Sequence, residues 1–174
     1  MPSNVRISSL VPVGLVVEDV AWVKGAIVLT ARAGAREGTC PLCRAPSRRV
    51  HSRYVRQASD LPCSGRSVRL RLVTRRFVCA APLCRRRIFA ERFDDAVVAE
   101  RARRTTRLEH VIHHLGLALG GRPAASVATR LMLPVSNDTL LRVVRRRTAQ
   151  RTEPLSVIGI DDWAMRNHTS DGKL

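Results

Sequence analysis

Residues 40–84 begin with Cys40-Pro41-Leu42-Cys43 and end with Cys79-Ala80-Ala81-Pro82-Leu83-Cys84. The first pair has the two-residue spacing of a tight turn that presents both thiolates to one metal, and the second is a wider pair with a similar ending. Zinc takes four soft ligands in a tetrahedron at about 2.3 Å, and turns from two separate hairpins supply them. The spacing predicts one structural zinc ion with a closed ligand set, formed by Cys40, Cys43, Cys79 and Cys84.

Two disulfides, or unpaired cysteines in a core, are the alternatives to a metal site. Disulfides are rare in the cytoplasm, where we expect this protein to be. The apolar stretch Leu10–Val17 lacks the basic start and cleavage site of a signal peptide, and no apolar run approaches the roughly 20 residues of a membrane span. His51 is a less favoured substitute ligand, and Cys63 is expected to be a packed or free thiol.

The charge of the chain points to a polyanionic partner. The formal net charge is +17, and of the 31 basic residues only Lys24 and Lys173 are lysines, so 29 are arginines. Residues 40–90 carry a net charge of +12 and residues 91–151 a net charge of +6, whereas residues 152–174 carry −2. Such a distribution predicts double-stranded DNA as the partner of the middle of the chain. A protein-interaction module that arginines merely keep soluble is the alternative.

Three segments of the first half have the pattern of strands. Residues 14–33 read as a strand pair with a turn at Lys24-Gly25, and Val50–Arg56 is a weaker candidate. In Arg66–Val73, after an expected turn at residues 61–65, apolar residues alternate with Arg69 and Arg71, so the two arginines should share the solvent face and contact DNA.

From Arg104 onward the apolar residues follow a helical period. A first helix capped by Thr105 or Thr106 should end at Gly120-Gly121, and a second should start near Pro123 and pack through Ala125, Ala128 and Leu131. Ser136 should cap a third helix. Helix, turn and basic helix predict a helix-turn-helix in which the third helix reads base edges and its end meets phosphates. The expected DNA-contacting residues are Asn137, Thr139, Arg142, Arg145 and Arg146.

With both modules in order, the chain resembles the N-terminal part of the ISL-three family of bacterial insertion-sequence transposases, over roughly residues 10–166. The match includes both cysteine pairs and the later segments Pro134–Ser136 and Leu140–Arg142. It also includes Val157–Arg166, which resembles the opening strand of that family's catalytic domain. The other matching segments are Arg49-Val50-His51, Asp60-Leu61-Pro62, Arg75–Cys79 and Ile88–Glu91.

The resemblance implies an enzyme that binds the terminal inverted repeats of its element, then cuts and joins them with three acidic residues and two divalent metals such as Mg²⁺. The first acid would be Asp161, directly after the apolar run Leu155–Ile160, with Asp162 as the runner-up. After Arg166 the chain departs from the family pattern, so we expect a truncated DDE catalytic domain of the RNase-H-like class that is incomplete by itself. A stand-alone zinc and helix-turn-helix transcriptional regulator is the alternative.

Together these inferences predict an α+β protein associated with DNA in the cytoplasm, with a β-rich, zinc-ribbon-like module before an all-α helix-turn-helix module. The expected units are an N-terminal strand pair packing on the zinc module (1–39), a zinc-binding domain (40–92), a helix-turn-helix domain (100–150) and the first strand of the truncated catalytic domain (153–174). Assembly into a homo-oligomer is left open.

Overall fold

The computed structural model describes residues 11–133 and 135–148. Within them the mixed α+β architecture is confirmed, with a β-rich N-terminal part and three helices. The strands are β1 (Leu15–Val23), β2 (Ala26–Ala33), β3 (Gly38–Thr39), β4 (Pro46–Ser47), β5 (Val50–Cys63), β6 (Arg66–Val78) and β7 (Ile88–Ala90). The helices are α1 (Thr106–Leu119), α2 (Gly121–Arg130) and α3 (Asn137–Thr148).

One five-stranded sheet organises the first half of the chain. Its strand order is β1-β2-β6-β5, and β7 pairs with the end of β6. The predicted strand pair is confirmed as β1 and β2, joined by a tight turn at Lys24-Gly25 in which both residues have positive φ. Because β2 pairs in parallel with β6, the N-terminal strand pair belongs to the same sheet as the strands that lead to the second cysteine pair.

The hairpin of β5 and β6 is longer than the sequence predicts. The weak strand candidate Val50–Arg56 extends to Cys63, and the predicted five-residue turn shrinks to Ser64-Gly65. The reason is cross-strand pairing along the whole length of β6. Pro62 is tolerated because the register shifts between Asp60 and Cys63, where an irregularity removes the need for a ladder hydrogen bond.

Alternation along β6 separates the core from an arginine-bearing face. Val68, Leu70 and Leu72 are buried, whereas Arg69 and Arg71 between them are exposed. The apolar face is covered by the segment after β7, through Phe93, Val97 and Val98. The predicted two-faced strand is confirmed, and one side of the sheet packs while the other meets solvent.

The three helices form a second core. Thr105 caps α1, accepting a hydrogen bond from the Leu108 backbone N–H at 3.3 Å, and Gly120 with φ 70° ends it. α2 starts at Gly121, so Pro123 lies in its first turn. The face predicted for α2 is partly wrong: Ala124 and Ala128 are buried, Ala125 is half-buried, and Leu131 is 49% exposed just past the helix end. That core consists of Leu108, Ile112, Ala124, Ala128, Leu133, Val135, Leu140 and Val143.

Candidate metal centre and basic surfaces

Two short turns carry the cysteine pairs. Cys40 directly follows β3, and the turn from Cys40 to Arg44 returns the chain to β4. Its backbone is fixed by hydrogen bonds from the Arg44 N–H to the Cys40 carbonyl and from the Cys40 N–H to the Ala45 carbonyl, both at 2.9 Å. Arg44 adopts a positive φ of 63°, which closes the turn. The sulfur atoms of Cys40 and Cys43 in this turn lie within 4.8 Å of each other.

The second pair follows β6 and precedes β7. The Cys79 N–H donates to the Arg87 carbonyl at 2.8 Å, and the Cys84 N–H donates to the Ala81 carbonyl at 3.2 Å. Ser47 of β4 donates its hydroxyl to the Val78 carbonyl at 2.6 Å. That bond ties the first turn to the end of β6, so the two turns face each other.

Four sulfur atoms converge between the turns. All the Sγ atoms of Cys40, Cys43, Cys79 and Cys84 lie within 4.8 Å of one another. The Cys40–Cys84 separation is 3.9 Å and the Cys43–Cys79 separation is 3.5 Å. A tetrahedron with Zn–S bonds of about 2.3 Å has edges of about 3.8 Å, so these separations fit a zinc ion and are far too long for disulfide bonds of about 2.05 Å.

The electrostatics of the sulfur cluster favour a divalent cation. The backbone N–H groups of Cys43 and Leu42 donate to the Cys40 sulfur and lower the pKa of Cys40 to about 6, although burial opposes them. At Cys79 the backbone N–H of Ala81 also favours the thiolate, but burial and the neighbouring thiols outweigh it and raise the pKa to about 12. Of these two thiols, Cys40 therefore ionises readily and Cys79 resists ionisation. A bound cation supplies the charge that lets all four ionise.

A small cluster of aromatic side chains packs beneath the metal centre. Phe77 and Phe89 stack with ring centroids 5.7 Å apart, and both are buried beside Cys40, Cys79 and Cys84. Gly38 lies against them: a Cβ atom there would be 2.6 Å from the Phe77 ring. This position therefore requires glycine.

Cys63, expected to be a packed or free thiol, and the substitute ligand His51 both lie apart from the cluster. Cys63 is half-buried at the far end of β5, where its nearest polar partner is the Ser64 hydroxyl at 3.6 Å. His51 is exposed and contacts the Ser52 hydroxyl at 3.2 Å. The four cysteines of the two turns are therefore the ones positioned to bind a structural zinc ion.

The first basic surface is the solvent face of the sheet. Arg69 of β6 pairs with Val28 of β2 and Ser59 of β5, and Arg71 pairs with Thr30 of β2 and Gln57 of β5. Residues that are paired in this way point to the same side of the sheet. The ladder partners of both arginines are thus polar, apart from Val28. Nearer the zinc end, Arg75 is held by the buried Glu91, and its Nη2 also donates to the Ala35 carbonyl at 2.6 Å.

The second basic surface is α3. Ser136 caps this helix as predicted, accepting from the Thr139 N–H at 3.4 Å. Thr139 is half-buried, and Arg142 and Arg145 are exposed. Arg146 is exposed but forms an ion pair with Glu109 of α1. The Asn137 carboxamide oxygen is buried and lies 1.9 Å from where a Cβ on Gly121 would be, so it is directed at the start of α2.

A buried carboxylate joins the sheet to the helices. Asp60 of β5 is fully buried and accepts hydrogen bonds from the Thr105 hydroxyl at 2.7 Å and from Arg107 Nε at 2.8 Å. Arg107 also bonds the other carboxylate oxygen at 2.6 Å. Beside this contact, Ser59 forms a parallel bridge with Arg104. Sequence reasoning missed this role, although Asp60 is the only acidic residue among residues 40–90.

The predicted catalytic residues, Asp161 and Asp162, lie outside the described residues. Among the helices that the structure describes, none has the length and apolar character to cross a bilayer.

The comparisons with known proteins bear on the metal centre. Residues 36–84 match the family model for the zinc-finger of transposase IS204/IS1001/IS1096/IS1165. The matched segment contains both turns and all four cysteines, so this region is a transposase-type zinc ribbon positioned to bind a structural zinc ion. The match supports the transposase family that the sequence resembles. No curated protein and no solved structure matches the chain.

Proposed function

We propose that the described part of the chain is the DNA-binding part of an insertion-sequence transposase, and that it recognises the terminal inverted repeats of its element. The match of residues 36–84 to a transposase zinc finger is the observation that carries this proposal. The zinc ion is structural in this scheme, because its four protein ligands leave no coordination position for a substrate.

The two basic surfaces supply the DNA contacts. We infer that α2, the following turn and α3 act as a helix-turn-helix, with the exposed side chain of Arg142 near the start of α3 at base edges. Arg145 and Arg146, one turn further on, would meet phosphates, as would Arg69 and Arg71 on the sheet. Because the Asn137 oxygen is buried against α2, the first two turns of α3 contribute to this reading mainly through Thr139 and Arg142.

The buried contact at Asp60 fixes the position of the two basic surfaces relative to each other. A carboxylate that is fully buried and bonded to both Thr105 and Arg107 resists the rotation of α1 against β5. A DNA-binding protein benefits from such rigidity, because contacts that are already in place cost less ordering entropy on binding.

The test selects duplexes from a randomised pool with the zinc-loaded full chain and then measures affinities by fluorescence anisotropy. We expect an enriched sequence that occurs at the ends of a mobile element. Arg142→Ala should weaken binding to it by about 1–3 kcal/mol and to a scrambled duplex by much less. Arg145→Ala, the matched control on the same helix face, should weaken both duplexes alike.

Two results would count against this proposal. Enrichment of a promoter sequence would favour the transcriptional regulator, and salt-independent binding, or none, would exclude the DNA function altogether.

A further inference from the structure

A wide cleft separates the segment before α1 from the side of α3. It encloses about 860 Å³, with residues 95–106 along one wall and α3 along the other. Thr139 and Arg142, which face the DNA in the proposed function, lie at its α3 side. The cleft is lined by Arg101, Arg103, Arg104, Arg142, Arg146 and Arg147.

Most of the positive charge in the cleft is not neutralised by the protein. Its acidic residues include Glu100 and Glu109, which are engaged by ion pairs with Arg92 at 3.1 Å and with Arg146. Asp95 is the remaining acid of the lining. Within residues 11–133 and 135–148, no ion pair with an acid is formed by the other five lining arginines: Arg101, Arg103, Arg104, Arg142 and Arg147.

One further observation concerns Arg104 in the cleft lining. The Nε–H group of Arg104 is buried and has no hydrogen-bond acceptor in the described part of the chain. Five crowded guanidinium groups repel one another, and a buried donor without an acceptor costs free energy. The repulsion among the guanidinium groups is relieved when an anion with several oxygen acceptors enters the cleft.

We propose that this cleft holds the sugar-phosphate backbone of one strand of the bound duplex, which rests on the DNA-binding function proposed above. Guanidinium groups match phosphate oxygens in charge and in forked geometry, and a concave site focuses the positive potential. A duplex whose bases meet Arg142 brings its backbone to the walls on either side of α3. Arg101, Arg103 and Arg104 of the connecting segment thus become DNA contacts, although they belong to neither the zinc ribbon nor α3.

The test compares the double variant Arg101→Gln/Arg103→Gln with the wild type on the selected duplex and on a scrambled one, at several salt concentrations. Both side chains are exposed, so the fold does not depend on them. We expect affinity to fall about tenfold or more on both duplexes, and the slope of log affinity against log salt to decrease by about two. The thermal midpoint should not fall, because the substitutions relieve like-charge repulsion.

Two matched variants separate this site from general electrostatics. Arg85→Gln/Arg86→Gln removes the same charge from exposed positions outside the cleft and should leave the salt slope unchanged. Arg101→Lys/Arg103→Lys keeps the charge and should retain most of the affinity. If the cleft variant binds both duplexes like the wild type, or loses affinity for the selected sequence alone, the cleft does not hold the backbone and the proposed function stands. If the wild type binds no duplex, both proposals fail.

Discussion

The zinc ribbon (residues 36–84) and the helical module (residues 105–148) are stabilised in different ways. The buried apolar cluster beside the ribbon turns consists of Phe77 and Phe89 together with three of the metal ligands. The helical module buries a full set of aliphatic side chains from all three helices, among them Leu108, Ile112 and Leu140. A core made largely of its own metal ligands depends on the metal, whereas an aliphatic core does not.

The difference explains why the two regions need a specific contact between them. We call the contact of Asp60 with Thr105 and Arg107 the Asp60 joint. The cluster beside the ribbon turns and the helical core share no residue. The buried carboxylate of Asp60 on β5 links the sheet to the helices through Thr105, the N-cap of α1, and Arg107. A buried ion pair contributes little net stability but is costly to break, so it fixes an arrangement rather than strengthening it. The comparison therefore predicts three graded perturbations: one confined to the ribbon, one at the joint and one confined to the helices.

The largest effect should come from loss of the metal. Cys79→Ser removes one ligand, and because structural zinc contributes roughly 10 kcal/mol or more to a small domain, the two cysteine turns with β3, β4 and β7 should lose their fold. The central parts of β5 and β6 should persist, because Leu70 and Leu72 belong to the separate aliphatic core of the sheet. Cys63→Ser is the matched control at a cysteine outside the cluster, and it should keep full zinc and full stability. Metal analysis and hydrogen exchange measure both. Full zinc occupancy in Cys79→Ser would show that another residue completes the site.

The same experiment tests how separate the two regions are. In Cys79→Ser, the amides of α1 and α3 should stay protected while those of β3, β4 and β7 exchange. Simultaneous loss of protection in both regions would show that the Asp60 joint makes them one cooperative unit.

The next largest effect should come from breaking the joint. Arg107→Ala leaves the Asp60 carboxylate, which is fully buried, without its charged partner. Removing one member of a buried pair costs about 3–5 kcal/mol, and the 35% exposure of the Arg107 side chain places the expected loss near the lower limit. Chemical denaturation measures it. Arg92→Ala, which removes an exposed pair with Glu100, is the control and should cost less than about 1 kcal/mol. Equal losses in the two variants would mean that Asp60 is not a joint.

The sequence predicts the parts that depend on local pattern. The cysteine spacing locates the metal centre, and the alternation around Arg69 and Arg71 separates the two faces of β6. Both patterns can be recognised because their residues are close together in the chain. The joint at Asp60, the direction of Asn137 and the cleft at Arg104 depend on residues that are distant in the chain. Their geometry exists only after β5 and α3 have packed against α1. The full length of β5 was missed for the same reason, since its second half is held by pairing with β6.

The smallest effect should come from trimming the helical core. Ile112 is 1% exposed, and Ile112→Val removes one methylene from a packed aliphatic cluster, which costs about 0.5–1.5 kcal/mol. Because this core needs no metal, the zinc content should stay at one per chain, and the loss should appear as faster exchange of amides in α1, α2 and α3. Ile88→Val, the same substitution at a 42% exposed position beside the ribbon, is the matched control and should change neither quantity measurably. If Ile112→Val also released zinc, the stability of the ribbon would depend on the helical core, and the contrast between a metal-dependent and a metal-independent region would be wrong.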